Sequence, residues 1–413
     1  MSLLTFEKAL QLVLETTESL PTVNLPIEEA AGLYLSKSIT SAIDLPRFDN
    51  SQMDGYAINY ADISMHKPQS PLILPEVGTA AAGAKEELEL KKGTTVRIFT
   101  GAPIPRGADT IVPVEDVQRG SDAHVTFAAP IEKGQFVRCK GEDLTSGDVI
   151  AKPGDRLTPG RLALLMSAGR GHAAVHRQAR VVILTNGDEL ADRSIAPSDL
   201  AHGQIYESNS LMLKELAKDA GADVSGVRTA SDSLEEIVQL LQSLIADSRP
   251  DLIITTGGVS VGDRDWIRSA LKQLGEVIFW RAAIRPGKPI LYGKIGSTQF
   301  LGLPGNPAST LVTFELFARP LINKLQGNLS WTSFLPSIVS EAVQHEPGRR
   351  SFVRAYTTVT AAGLSSKPSG GQGSHFVTSL ARANSLIVIP EDTTRLDPGS
   401  SVKCLMMGPP TSA

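Results

Sequence analysis

Three polar turns in the middle of the chain carry residue types suited to holding a small anionic molecule: Asn186-Gly187-Asp188-Glu189, Thr255-Thr256-Gly257-Gly258 and Pro304-Gly305-Asn306-Pro307. Each follows or closes a short apolar run, so each is expected at a strand end, and strand ends in one parallel sheet lie side by side. In TTGGVSVGDRD the paired Gly257 and Gly258 after Thr256 let backbone amides approach a phosphate or a pterin-like ring, while Ser260, Asp263 and Asp265 supply oxygens directly behind. The plain alternative is a glycine-rich turn followed by a helix-capping aspartate. In PGNPAS, Gly305 permits a sharp turn, Asn306 can cap, and Pro307 suits the first helical position. The amides of Ala308 and Ser309 then face an anion, or simply begin an ordinary helix. WRAAIRPGKP places Arg281, Arg285 and Lys288 on a stretch stiffened by proline. With Glu189, Asp232 and Asp265 at neighbouring strand ends they form a mixed crevice, in which a hard cation such as Mg²⁺ would bridge the acids to an anionic ligand. A structural ion-pair network is the other reading. Nearer the N-terminus, Asp54 precedes Gly55 and Thr100 precedes Gly101, as turn residues or as site residues.

The elements that must position these groups are clearest between residues 177 and 325, where apolar runs alternate with amphipathic stretches. ARVVILTNGDEL, DVSGVRTA and DLIITTGG read as strands. Residues 207 to 220, DSLEEIVQLLQSLIADS with Asp232 as N-cap, DRDWIRSALKQLG and the stretch through Phe317 read as helices. That alternation predicts a doubly wound parallel sheet. Residues 46 to 138 and 327 to 413 hold short β-type runs broken by turn residues and read as small barrels or sandwiches. His172 and His176 are four apart, but GHAAVHR alternates like a strand, which disfavours a metal pair.

Composition narrows the function classes. Forty Lys and Arg against 44 Asp and Glu give a net charge of −4, which argues against a broad nucleic-acid or acidic-membrane surface. Two distant cysteines, Cys139 and Cys404, point to a reducing compartment, the first twenty residues read as an amphipathic helix, and no apolar run reaches bilayer length. A cytoplasmic protein is expected. Walker A, GxGxxG, HExxH and GxSxG patterns are absent.

The ordered set FDNSQMDGYA, IFTGAPIPRGAD, TNGDEL, TTGGVSVGDRDW, RPGKP, LPGNPAS and QGSH resembles the molybdopterin molybdenumtransferases, the MoeA family, which includes the E domain of gephyrin. The resemblance implies an N-terminal helix (1–26), a discontinuous linking domain (27–45 and 139–175), a β-rich domain (46–138), a central α/β domain similar to molybdopterin adenylyltransferase (176–326) and a C-terminal β-barrel (327–413). It implies a homodimer, with each active site between the central and C-terminal domains of one subunit and the N-terminal β module of the other. The implied activity is Mg²⁺-assisted insertion of molybdate into adenylated molybdopterin, with release of AMP.

By position in the matching motifs, Asp54, Thr100, Asp143, Glu189, Asp232 and Asp265 correspond to the family's functional polar residues. Pro304 and Pro307 shape the pocket, and Ser374 is the serine of the QGSH loop. Arg281 and Arg285 stand where some members have lysine, and planar Arg changes the anion geometry. Lys288 and Ser309 are candidates for molybdate contact, and Glu189, Asp232 and Asp265 for magnesium. Molybdopterin adenylyltransferase and apo-molybdoenzymes are the implied partners beyond a second subunit. Two other functions stay open: an adenylyltransferase, because TTGG suits that chemistry, and a gephyrin-like scaffold.

Overall fold

The computed structural model describes residues 3–64, 71–127, 130–258, 265–328 and 334–412. Thr5 caps the first helix, Phe6–Glu15, by accepting from the Lys8 amide. The helix buries Phe6, Ala9, Leu10 and Val13, which share one face at helical spacing. Phe6 lies edge-on to Phe317 (5.8 Å) and Phe352 (5.2 Å), so it joins the core of the central sheet to the C-terminal barrel. Burial of a side chain this size contributes about 1.5–3 kcal/mol, and Phe6→Ala would loosen both contacts.

Chain segments on either side of the N-terminal β module pair with each other. Thr22–Pro26 and Tyr34–Leu35 flank His172–His176, and Ile39–Thr40 pairs with Val149–Ala151. The module between them is a six-stranded sheet in the order Thr110–Pro113, Gly55–Ile58, Thr95–Ile98, Leu72–Ala80, His124–Phe127, Val117–Arg119.

In the central sheet, Asp223–Ala230, Arg180–Asn186, Leu252–Thr256 and Thr298–Leu303 run parallel. Val181, Ile183, Leu252 and Ile254 face one hydrophobic cluster, while Leu184 and Ile253 face the other. Covering both faces is what makes these strands near-continuous apolar runs. These are the strands the sequence pattern marked as parallel, and two further strands extend the sheet in the antiparallel sense. A tight turn at Gly296-Ser297 folds Pro289–Ile295 back antiparallel on Thr298–Leu303, and Glu276–Arg281 follows as an antiparallel edge. The final helix, Pro307–Thr313, continues through Phe314–Ala318 into Arg319–Leu325.

Five strands close the C-terminal barrel: Arg350–Thr360, Gly363–Pro368, Phe334–Val339, Ser401–Met406 and Ser385–Ile389, which returns to Arg350–Thr360. Ile284–Arg285 pairs in parallel with Arg350–Ser351, so the RPGKP segment lies in the seam between sheet and barrel. Among the described residues no helix is long and apolar enough to cross a membrane.

Candidate active site

The strand ends enclose a cavity of about 400 Å³ lined by Glu189, Thr256, Gly257, Gly258, Pro304 and Pro307, with Asn186 and Asn209 among its other walls. Thr256 ends its strand, and its hydroxyl donates to the Pro304 carbonyl (3.2 Å) and accepts from Asn209 Nδ2 (3.1 Å). Asn209 Nδ2 also reaches the Gly305 carbonyl at 2.6 Å, which ties the TTGG and PGNP turns together. Gly257 and Gly258 have φ of +93° and +62°. A Cβ on Gly257 would stand 2.8 Å from the Asn186 carbonyl oxygen, so only glycine fits this turn.

The acids are placed differently from one another. Glu189 is exposed at the cavity wall and has no side-chain partner among the described residues. Asp232 is half-buried and accepts from Asn186 Nδ2 at 2.9 Å. It is not the helix cap expected from sequence: Ser233 holds that position and accepts from the Glu236 amide. Asp265 is 6% exposed. It caps the helix Trp266–Leu274 through the Arg268 amide (3.2 Å) and pairs with Arg268 Nε at 3.1 Å. Burial pushes its pKa up, against the opposing pull of the Arg268 amide and charge. Among the described residues no three His, Cys, Asp or Glu side chains form a metal-binding group, so Glu189, Asp232 and Asp265 are not gathered into a preformed magnesium cage. Ser260 and Asp263 lie outside the described residues.

The three cations also separate. The Arg281 guanidinium stacks 3.7 Å from the Trp280 ring centre, and Arg268 lies 4.4 Å from the same ring. Arg285 pairs with Glu346 (2.7 Å) and lines a second cavity of about 450 Å³, with His345, Ser351 and Gln372. Lys288 is exposed beside Pro289, which lines the first cavity, and has no side-chain partner among the described residues. The helix start at Pro307 is less open than its sequence suggested. The Ala308 amide donates to the Ser374 carbonyl (3.4 Å), and Asn306 makes no side-chain cap but donates through Nδ2 to Ser374 Oγ (3.1 Å). Ser309 is 5% exposed. Ser374 is thus brought against the PGNP turn.

Sequence reasoning missed Arg349 and Asn209, and named Asn186 only as part of its polar turn. Arg349 comes close enough to Arg285 that the neighbouring charge adds to burial in lowering its pKa. The signal that could have found it is the adjacent pair Arg349-Arg350 after Pro347-Gly348.

In the N-terminal module the Thr100 amide and hydroxyl both donate to Asp54 Oδ1, each at 2.7 Å. These bonds, the amide first, hold the Asp54 carboxyl below its ordinary pKa. Asp143 is exposed on a turn, its amide donating to the Leu45 carbonyl at 3.0 Å. None of Asp54, Thr100 and Asp143 lines either cavity of its own chain.

Fold and site together define an α/β protein with a glycine-floored strand-end cavity and, in the seam with a β-barrel, a second cavity where Arg285 pairs with Glu346. The chain matches sequence-family models described as the MoeA N-terminal region, domains I and II (residues 4–169), a "probable molybdopterin binding domain" (182–324) and the MoeA C-terminal region, domain IV (337–406). It is 36% identical over 381 residues to a molybdopterin molybdenumtransferase of Haemophilus influenzae, covering 92% of each chain. It is 35% identical over 400 residues to molybdopterin molybdenumtransferase 2 of Mycobacterium tuberculosis, covering 95% of this chain and 97% of the other. A solved molybdopterin biosynthesis MoeA protein of Pyrococcus horikoshii superposes with a TM-score of 0.83 at 30% identity, covering 99% of this chain and 100% of the other. The chain belongs to the MoeA family of molybdopterin molybdenumtransferases, transferases of molybdenum cofactor biosynthesis.

Proposed function

We propose that this chain inserts molybdate into adenylated molybdopterin and releases AMP, acting in the cytoplasm as a homodimer. The observation that carries this reading is the pairing of two unlike cavities across one short segment. Arg285 of RPGKP lines the cationic cavity, and Pro289, four residues on, lines the glycine-floored one. The first suits a tetrahedral oxyanion, which Arg285 and Arg349 would hold with Lys288 alongside. The second suits a heterocycle with its phosphates over the Gly257-Gly258 turn. In the reaction the two dithiolene sulfurs of the substrate replace two oxygens on molybdenum, which leave as water. A further water cleaves the phosphoanhydride to AMP and the terminal phosphate of the cofactor.

The donor set fits magnesium only in its substrate-completed form, with Glu189 and Asp232 as protein ligands and phosphate oxygens and water making up the rest. Bound there, Mg²⁺ would offset charge on the departing AMP. Asp265 acts at one remove, fixing Arg268 on Trp280 and through the ring Arg281. Asp54, Thr100 and Asp143 enter the site from the second subunit; their exposure in the single chain and the exposed Phe48, Met53 and Phe99 in the same module support that. An adenylyltransferase supplies the substrate and apo-molybdoenzymes take the product. Purified protein given adenylated molybdopterin and molybdate should reconstitute a cofactor-free molybdoenzyme; substrate bound but left intact would defeat the proposal.

A further inference from the structure

Arg354 is fully buried on the strand Arg350–Thr360 of the barrel, with no carboxylate among its described partners. Its guanidinium donates instead to one short stretch of chain. Nε reaches Ser379 Oγ at 2.9 Å, and Nη2 reaches the carbonyls of Gly371 (2.9 Å) and Gly373 (3.1 Å). The backbone of the same residue grips that stretch as well. Gln372 Oε1 accepts from the Arg354 amide and Gln372 Nε2 donates to the Arg354 carbonyl, both at 3.0 Å. The Ser369 amide and hydroxyl meet the same carbonyl at 2.9 and 3.1 Å.

Stability does not explain the choice of residue, because a buried guanidinium without a counter-ion is costly and an apolar side chain of similar length often folds as well or better. The stretch it holds contains Gly370, Gly371 and Gly373, which have no side chains to fix their own path. Its next residue is Ser374, which meets Asn306 and Ala308 of the PGNP turn, while Gln372 lines the cationic cavity.

We propose that Arg354 is a positioning residue for the transfer reaction: with Gln372 it sets the backbone of residues 371–374 so that Ser374 closes the PGNP turn, which walls the glycine-floored cavity. The inference rests on the proposed reading of that site, so its test has one arm that needs no activity.

Arg354→Met, Arg354→Lys and Gln372→Ala are made in the full chain. Amide hydrogen exchange at residues 371–374 is expected to quicken about tenfold or more in Arg354→Met and Gln372→Ala, with the barrel strands unchanged and the unfolding midpoint of Arg354→Met equal or higher. In turnover, kcat/KM for molybdate falls roughly tenfold to a hundredfold, the scale of lost hydrogen bonds to a charged group. Arg354→Lys regains part of it, and Arg354→Met adds nothing to Ser374→Ala in the double variant. Unchanged exchange at 371–374, multiplicative effects of the two substitutions, or a fall in barrel stability matching the loss of rate would overturn the proposal. Failure of the unaltered protein to transfer molybdate would strike the functional reading alone, since the exchange arm still judges the clamp.

Discussion

Replacing Asn186 by Leu should separate stability from activity. Asn186 is 5% exposed at the end of its strand. Its Nδ2 donates to Asp232 at 2.9 Å, and its Oδ1 is buried with no hydrogen-bond partner among the described residues. The amide cannot be reversed, because Oδ1 would then face the carboxylate. Leu removes a hydrogen bond to a charged group, a loss of about 1.5–3 kcal/mol, and also removes an unsatisfied buried oxygen that costs about 1–3 kcal/mol. The two nearly cancel, so the unfolding free energy from urea titration should move by no more than about 1 kcal/mol. Asp232, however, loses the donor that orients it, and kcat/KM for AMP release should fall at least roughly tenfold, or 1.4 kcal/mol. Full turnover in a stably folded variant would refute the role given to Asp232. A stability loss above about 3 kcal/mol would show that the orphan oxygen was satisfied after all.

Asp265→Asn should keep the helix cap, since Asn caps as well as Asp, and stay within about 1 kcal/mol of the parent at neutral pH while AMP release falls. The parent's Asp265 has a folded pKa raised above its ordinary 3.8. Its contribution to stability is therefore complete below that value and is lost as pH rises through the folded one; unfolding measured across the acid range should show this slope in the parent and not in the variant. Chelation with EDTA should stop AMP release and leave the unfolding midpoint in place, with Mg²⁺ restoring turnover, because no three-carboxylate cage stands preformed among the described residues. Mixing inactive Asp54→Ala and Glu189→Ala proteins under subunit exchange should recover about a quarter of the parent activity, since half the dimers carry one intact composite site of two; no recovery would place Asp54 and Glu189 in the same subunit's site or outside the chemistry.

Much of the positioning scaffold was legible because its signals are local. The apolar runs at 180–186 and 252–256 end in polar turns, and paired glycines at 257 and 258 mark a backbone that a Cβ would block. The added antiparallel strands Pro289–Ile295 and Glu276–Arg281 were not legible, because a short apolar run beside a proline-rich stretch carries no mark of strand or direction. The capping assignment failed by one residue: Asp232 and Ser233 are equally good caps in sequence, and Asn186, distant along the chain, draws Asp232 aside. Long-range partners were the least legible. Nothing near Arg268 says that Trp280 will face it, nothing near Arg285 names Glu346 or Arg349, and nothing near Ser374 shows that Arg354 holds its loop. The Arg285 partners depend on how the barrel docks against the sheet, and the others on tertiary packing inside one module, neither of which local pattern encodes.

The most direct measurement is the release of AMP from adenylated molybdopterin by the purified protein with Mg²⁺, followed as molybdate is titrated from zero. AMP release that is negligible without molybdate, saturates with it, and shifts to higher molybdate in Arg285→Ala is the expected result. AMP release indifferent to molybdate, or none at all with every component present, would contradict the insertion chemistry at its root.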